Sequence, residues 1–289
     1  MISPKTRARD PRLDFFRGIG MFIILIAHIT DNPFTLWIPG RFGFSDSTEI
    51  FVFCSGMASA LSFGAVFDRA GFGWGVVRIA HRMWQVYWVH IGIFLSALLA
   101  ALLIDLSGAF PDSEIAAQNL DKFLYNTGPN LIGLMTLTYV PNYFDILPMY
   151  LVILALVPPM IALSRLHPGI AMAASVALWL MAGAGGVDLP AEWWFVEPST
   201  RPWFFNPFAW QLVFFTGFAF MAGWLPAPPV NRRLITLAVV IVLLSVPFAW
   251  YKVIDASAAI RAWRSEWTPL SFRCNLHTQK VSGKKFPKI

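Results

Sequence analysis

The sequence predicts an all-α, polytopic transmembrane helical bundle of about seven or eight spans, with one short re-entrant or interfacial segment. Three observations predict it. First, the chain of 289 residues is 57% hydrophobic and only 13% charged, with a mean hydropathy of +0.59. That is too apolar for an ordinary soluble domain, and several runs approach the ~20 residues needed to cross a bilayer. Second, aromatics make up 16% of the chain, with 13 Trp, as suits side chains that settle at membrane interfaces. Third, Lys and Arg gather in the short connections between the apolar runs. The net charge of +6 therefore describes loops and not a nucleic-acid surface.

The first span is expected over residues 14–30, after a basic N-terminus (Lys5, Arg7, Arg9, Arg12, Arg17). It resembles a signal sequence in its flank only. His28, Asp31 and Asn32 break its apolar run and no small-residue cleavage site follows, so it is expected to be retained. Pro33 ends or kinks it. Residues 34–44 read as an interfacial turn. Asp46 with Glu49 three residues on forms a helix-capping box before the second span, 50–67. Arg69, Arg78, His81 and Arg82 return the chain to the basic side, and a third span covers 83–104, with Gln85, Tyr87 and His90 near its inner end. Residues 105–129 read as a polar loop. Residues 130–140 are apolar but too short to cross, so 130–145 is the re-entrant or interfacial piece. Further spans are expected at 146–164, 169–187, 208–225 and 234–251.

This topology makes a countable prediction. The expected inner segments hold 11 basic residues: five before the first span, then Arg69, Arg78, Arg82, Arg165, Arg232 and Arg233. The expected outer loops hold three: Arg41, Lys122 and Arg201. The bias places the N-terminus in the cytoplasm. From Lys252 onward eight more basic residues break the pattern, and the tail reads as truncated, frame-altered or disordered. The organisation expected is a basic N-terminus at 1–13, a membrane domain at 14–265 and an atypical polar tail at 266–289.

Two cysteines, Cys54 and Cys274, make no disulfide framework, and the five histidines follow no metal-ligand spacing, so no metal is expected. The chemistry concentrates on the first span. Eleven helical steps bring His28 to within about 20° of Arg17, and Asp14 lies about 40° from His28. Asp14, Arg17, Met21, Ile24 and His28 thus form one stripe, expected to face protein or a water-filled cavity because lipid disfavours it. A neutral imidazole can take a proton from a hydroxyl as the hydroxyl attacks an acyl donor. A lone intramembrane histidine serves equally well as a hydrogen-bonding group between helices. Arg17 can bind an anion or simply anchor the inner interface, and Asp14 can hold it as an i,i+3 pair. Asp31 can orient His28 or cap the bundle. Arg78 and Arg82 share a face with Gln85 and can extend a phosphate site, or form an ordinary basic loop. Ser55 and Gly56 let helices approach closely. Asp145 falls where the re-entrant piece reaches the bundle, or in a plain loop. Residue chemistry alone leaves a carrier using His28 as a proton relay as an alternative to an enzyme.

The segments Arg9-Asp-Pro-Arg-Leu-Asp14-Phe-Phe-Arg17-Gly, His28 and Phe42-Gly-Phe-Ser-Asp46-Ser-Thr-Glu49-Ile-Phe-Val-Phe-Cys-Ser55-Gly56 resemble the OpgC family of bacterial inner-membrane proteins. Tyr139-Val-Pro-Asn-Tyr-Phe-Asp145-Ile-Leu-Pro-Met-Tyr150 and Asn206-Pro-Phe-Ala-Trp210-Gln211-Leu look like further family segments. The wider group resembled is the type-3 membrane acyltransferases, whose first span carries an arginine, ten residues and a histidine, as Arg17 and His28 do. Their second span carries Phe-Phe-x-x-Ser-Gly, where this chain has Val52 at the second Phe. The resemblance implies succinyl transfer from acyl-CoA to a hydroxyl of an osmoregulated periplasmic glucan. It implies His28 as base, Arg17 with Arg82 at the donor, and Asp14, Asp31, Glu49, Ser55, Gly56 and Asp145 in support. It implies no cofactor beyond acyl-CoA as substrate, and a multi-pass inner-membrane location. Family members are longer and carry more spans, so an inactive, shortened remnant is the other alternative.

Overall fold

The computed structural model describes residues 11–29, 32–108, 115, 120–141, 143–192, 201–250, 253 and 256–257. Among them it is helical, with two isolated bridges, Tyr139–Glu192 and Pro190–Pro202, and no strand. The helices are α1 (Pro11–His28), α2 (Ser47–Arg69, with a π turn at Ala60–Gly64), α3 (Phe72–Ser107), α4 (Asp121–Tyr125), α5 (Thr127–Met135), α6 (Ile146–Leu166), α7 (Pro168–Gly183), α8 (Pro207–Ala222) and α9 (Arg232–Ala249). The N-terminal ten residues, Asp31, the segment with Trp193, Trp194 and Glu197, and the tail at 266–289 lie outside the described residues.

Among the described residues four helices are long and apolar enough to cross a membrane: α2, α3, α6 and α9. This is fewer than the seven or eight spans expected, and the reasons are local. Helix α1 has 18 residues but carries Arg12, Asp14 and Arg17 in its first two turns. Helices α7 and α8 are apolar but only 16 residues each, about 24 Å against a hydrocarbon core of about 30 Å. The third span instead starts eleven residues before its expected beginning, at Phe72, and runs for 36 residues. At about 54 Å it is longer than the hydrocarbon is thick, and its basic residues Arg78, His81 and Arg82 all lie in its N-terminal part. The segment after it is not simply a loop, because it folds into α4 and α5. Helix α5, with nine residues, is too short to cross.

The contacts divide the chain into two compact units, one holding the residues up to Ala65 and from Leu212 on, the other Val66–Gln211. In the first, α1 packs on α2 where Gly20 admits the Ser47 carbonyl and Phe51. Asp46 caps α2 as expected: its carboxylate accepts from the Ser47 amide (2.6 Å), and its own amide donates to Glu49 (2.8 Å). A reciprocal pair of glycines joins α2 to α8. A Cβ on Gly56 would strike the Phe214 backbone, and one on Gly217 would strike the Phe53 carbonyl. Small residues here allow backbones to touch. Helix α9 touches the 3-10 turn Pro39–Arg41, and only Ser245 of it is buried.

In the second unit, α3 and α6 run antiparallel. At one end Arg165 donates to the Phe67 carbonyl (3.1 Å) and lies over the Phe72 ring. At the other, Phe94 packs edge-on against Phe144 (5.2 Å), Phe123 (5.0 Å) and Tyr139 (6.2 Å). Helices α7 and α8 are clasped by two buried polar groups. Ser175 donates to Gln211 (2.6 Å), and the Gln211 amide donates back to the Ser175 carbonyl (2.7 Å).

Candidate active site

Helix α1 carries the Arg17–His28 pair. Arg17 is half-buried, its guanidinium lies over the Phe51 ring at 5.8 Å, and its Nε is buried with no hydrogen-bond partner among the described residues. Asp14 is half-buried one turn earlier. His28 is the last residue of α1, and its ring is exposed. Its Nδ1 stands 2.7 Å from the Ile24 carbonyl. A carbonyl oxygen only accepts, so Nδ1 carries the proton and Nε2 is the basic nitrogen of the neutral ring.

The expected stripe is only partly covered. Leu13, Arg17, Gly20 and Ile24 are half-buried or buried, while Met21 and His28 are exposed. Helical geometry gives the reason. Leu13, Gly20 and Ile24 lie about 20–60° to one side of Arg17, whereas the half-buried Asp14 lies about 60° to the other, on the side of the exposed Met21 and His28 at about 20–40°. Met21 and His28 sit at the rim of the α1–α2 contact.

Glu49 is in the capping box, and Ser55 donates to the Phe51 carbonyl (2.7 Å). Gly56 is at the close approach to Phe214. All three thus shape α2, which in turn covers Arg17. Arg82 and Asp145 belong to the other unit. Arg82 points its guanidinium at Gln85 (3.4 Å), one helical turn on, and is exposed. Asp145 is buried and begins α6, its carbonyl accepting from the Met149 amide (3.1 Å). Among the described residues no group of His, Cys, Asp and Glu is arranged to hold a metal.

The second unit contains a polar centre that sequence reasoning did not assemble. Glu192 is buried and held from both sides, by Lys122 Nζ (2.8 Å) and Arg201 Nε (2.9 Å). Arg201 also donates to the Val140 carbonyl (2.6 Å), and the Val140 amide donates to the Ala191 carbonyl (2.9 Å). Tyr139, beside Glu192, is buried too. Burial pushes its phenol well above the usual tyrosine range; the Glu192 and Asp121 carboxylates push the same way and Arg201 partly opposes them. The available signal was chemical. Lys122 and Arg201 are two of the three basic residues expected in outer loops, and Glu192 is an acid in an otherwise aromatic segment. His90 was also underread. It is 1% exposed in the middle of α3, and its Nε2 has no hydrogen-bond partner among the described residues.

A search of curated proteins and one of solved structures return no match to this chain. A family model described as OpgC protein matches residues 9–281, which takes in both units and both polar sites. The chain belongs to the OpgC family.

Proposed function

We propose that this chain is a membrane O-acyltransferase that moves a succinyl group from acyl-CoA to a glucan hydroxyl. Family membership implies acyltransferase activity in general. The observation that carries the finer assignment is the Arg17-to-His28 spacing together with the His28 Nδ1–Ile24 carbonyl contact, which leaves Nε2 as the base. In the reaction, Nε2 takes the proton of the acceptor hydroxyl as its oxygen attacks the thioester carbonyl. The tetrahedral intermediate collapses, the C–S bond breaks, and the departing thiolate takes the proton from the imidazolium. The products are the glucan ester and free CoA.

Arg17 is assigned to the anionic donor, since guanidinium suits phosphate, with Phe51 steadying it from one face. Arg82, exposed among Arg78 and His81, is assigned to the donor's phosphates. The excess of Lys and Arg in the expected inner segments supports an N-terminus in the cytoplasm of a bacterium, with the chain multi-pass in the inner membrane and the glucan on the periplasmic side.

The test is transfer by the purified full chain from succinyl-CoA to a linear glucan, followed by mass spectrometry. Transfer by the wild type that is lost in His28→Ala, with CoA thioester binding lost in Arg17→Ala, is the expected result. A folded wild-type chain that transfers nothing, or a fully active His28→Ala, overturns the proposal.

A further inference from the structure

Helix α9 meets the rest of its unit near its C-terminal end. Ser245 is buried there, and a Cβ on Gly43 would stand 3.6 Å from the Ser245 hydroxyl. Just beyond, the Trp250 ring packs against Phe42 at 6.1 Å. Residues 231–244 are all exposed. An open groove runs along this exposed part, lined by Arg232, Arg233, Thr236, Leu237 and Val240. At about 100° per residue these five share one face, about 140° wide, whose centre lies about 150° from Ser245. The groove therefore points away from the protein contact.

Two features of this face specify what it can hold. The first is uncompensated charge. No Asp or Glu occurs between Met221 and Trp250, and among the described residues neither Arg232 nor Arg233 has an ion-pair partner. The helix cap is already filled, because the Asn231 side chain accepts from the Leu234 amide (2.8 Å). The charge on offer is thus that of two guanidinium groups, which suit a phosphate. The second feature is an apolar floor. Leu237 and Val240 lie about 6 and 10 Å beyond Arg233 along the axis, and Leu243 and Leu244 continue the same face. From Arg233 to Leu244 the face runs about 17 Å, close to the ~15 Å of hydrocarbon in a single leaflet. A water-soluble anion would leave that floor bare, whereas a phosphate carrying acyl chains covers both parts.

We infer that the Arg232–Arg233 face of α9 binds an anionic phospholipid, with its phosphate on the two guanidinium groups and its acyl chains along Leu237, Val240 and Leu244. The lipid supplies packing along the part of α9 that the protein leaves uncovered. This site is independent of the acyl-transfer reading, which assigns no role to α9.

The experiment titrates the full chain in detergent micelles with dioleoyl phosphatidylglycerol or dioleoyl phosphatidylcholine and counts bound lipid by native mass spectrometry. A basic residue beside anionic lipid contributes about fivefold in affinity. The wild type should therefore hold phosphatidylglycerol at least about tenfold more tightly than phosphatidylcholine. Arg232→Gln and Arg233→Gln should each lower that preference about fivefold, and the double variant should abolish it. Both side chains are exposed and Gln is a good helix former, so the melting temperature without added lipid should not change. Arg69→Gln, at an exposed position of another expected inner segment, should leave the preference intact, and neither inorganic phosphate nor CoA should displace the lipid. Equal binding of the two lipids by the wild type overturns the inference. So does an equal loss in Arg69→Gln, which would mean diffuse attraction, or displacement by phosphate or CoA, which would mean a site for a soluble anion. A dimer that excludes the lipid from this face overturns it as well.

Discussion

Arg17 and His28 stand on one helix, eleven positions apart, whereas Lys122, Glu192 and Arg201 come from three separate stretches of chain. The first pair is held loosely. Arg17 touches a ring face, and His28 leans on the carbonyl one turn back in its own helix. The second group is held tightly, with two ion pairs on one buried carboxylate and backbone bonds tying Val140 to its neighbours. On the proposed reading, the exposed His28 imidazole acts on an acceptor that arrives from outside the helix pair. A buried carboxylate between two cations fixes the parts around it. The difference predicts that changes on α1 act on rate, and changes at the buried centre act mainly on stability.

The largest effect expected is therefore kinetic. His28→Ala should lower succinyl transfer by about a hundredfold or more, the usual contribution of a positioned base. Its melting temperature in detergent should match the wild type, because the ring is exposed. A parallel fall in melting temperature would break the contrast. Gly56→Leu should be the most disruptive structural change near the pair. It drives a side chain into the Phe214 backbone and should cost about 3 kcal/mol, read as lost thermal stability and lost transfer together.

At the buried centre, Glu192→Ala leaves Lys122 and Arg201 facing each other. Because both cations are partly exposed, the expected cost is about 2 kcal/mol, below that of a fully buried pair. Thermal denaturation measures it, and donor binding should be unaffected. Tyr139 sharpens the same point by pH. Its folded-state pKa is raised, so above about pH 10 the unfolded chain loses this proton while the folded chain keeps it. Stability should be complete below that pH and fall as pH rises through it, and Tyr139→Phe should flatten the fall. The smallest effect is Asp46→Ala, which removes the capping box from α2 and should cost about 1 kcal/mol.

Much of the helical layout was legible because its signals are local. The expected span at 146–164 appears as Ile146–Leu166, that at 234–251 as Arg232–Ala249, and Asp46 and Glu49 form the capping box anticipated from their spacing. Pro33 begins a 3-10 turn soon after α1 ends. The number of spanning helices was less legible, since the expected first span carries three charges early in α1 and two others became 16-residue helices. Gly56 was rightly read as a packing residue, although nothing in its surroundings along the chain named Phe214 as its neighbour.

By itself the sequence determined the apolar helices, their caps, the alignment of Arg17 with His28 and the family to which the chain belongs. Helical periodicity and capping act over a few residues, so residue order is enough to set them. Only the tertiary structure decided which side of α1 is covered by α2, leaving His28 at the rim. It also decided that Lys122 meets Glu192 across 70 positions of chain. Those outcomes depend on how separate helices and turns pack, and a shift of a few tens of degrees or a few ångströms changes which side chains meet.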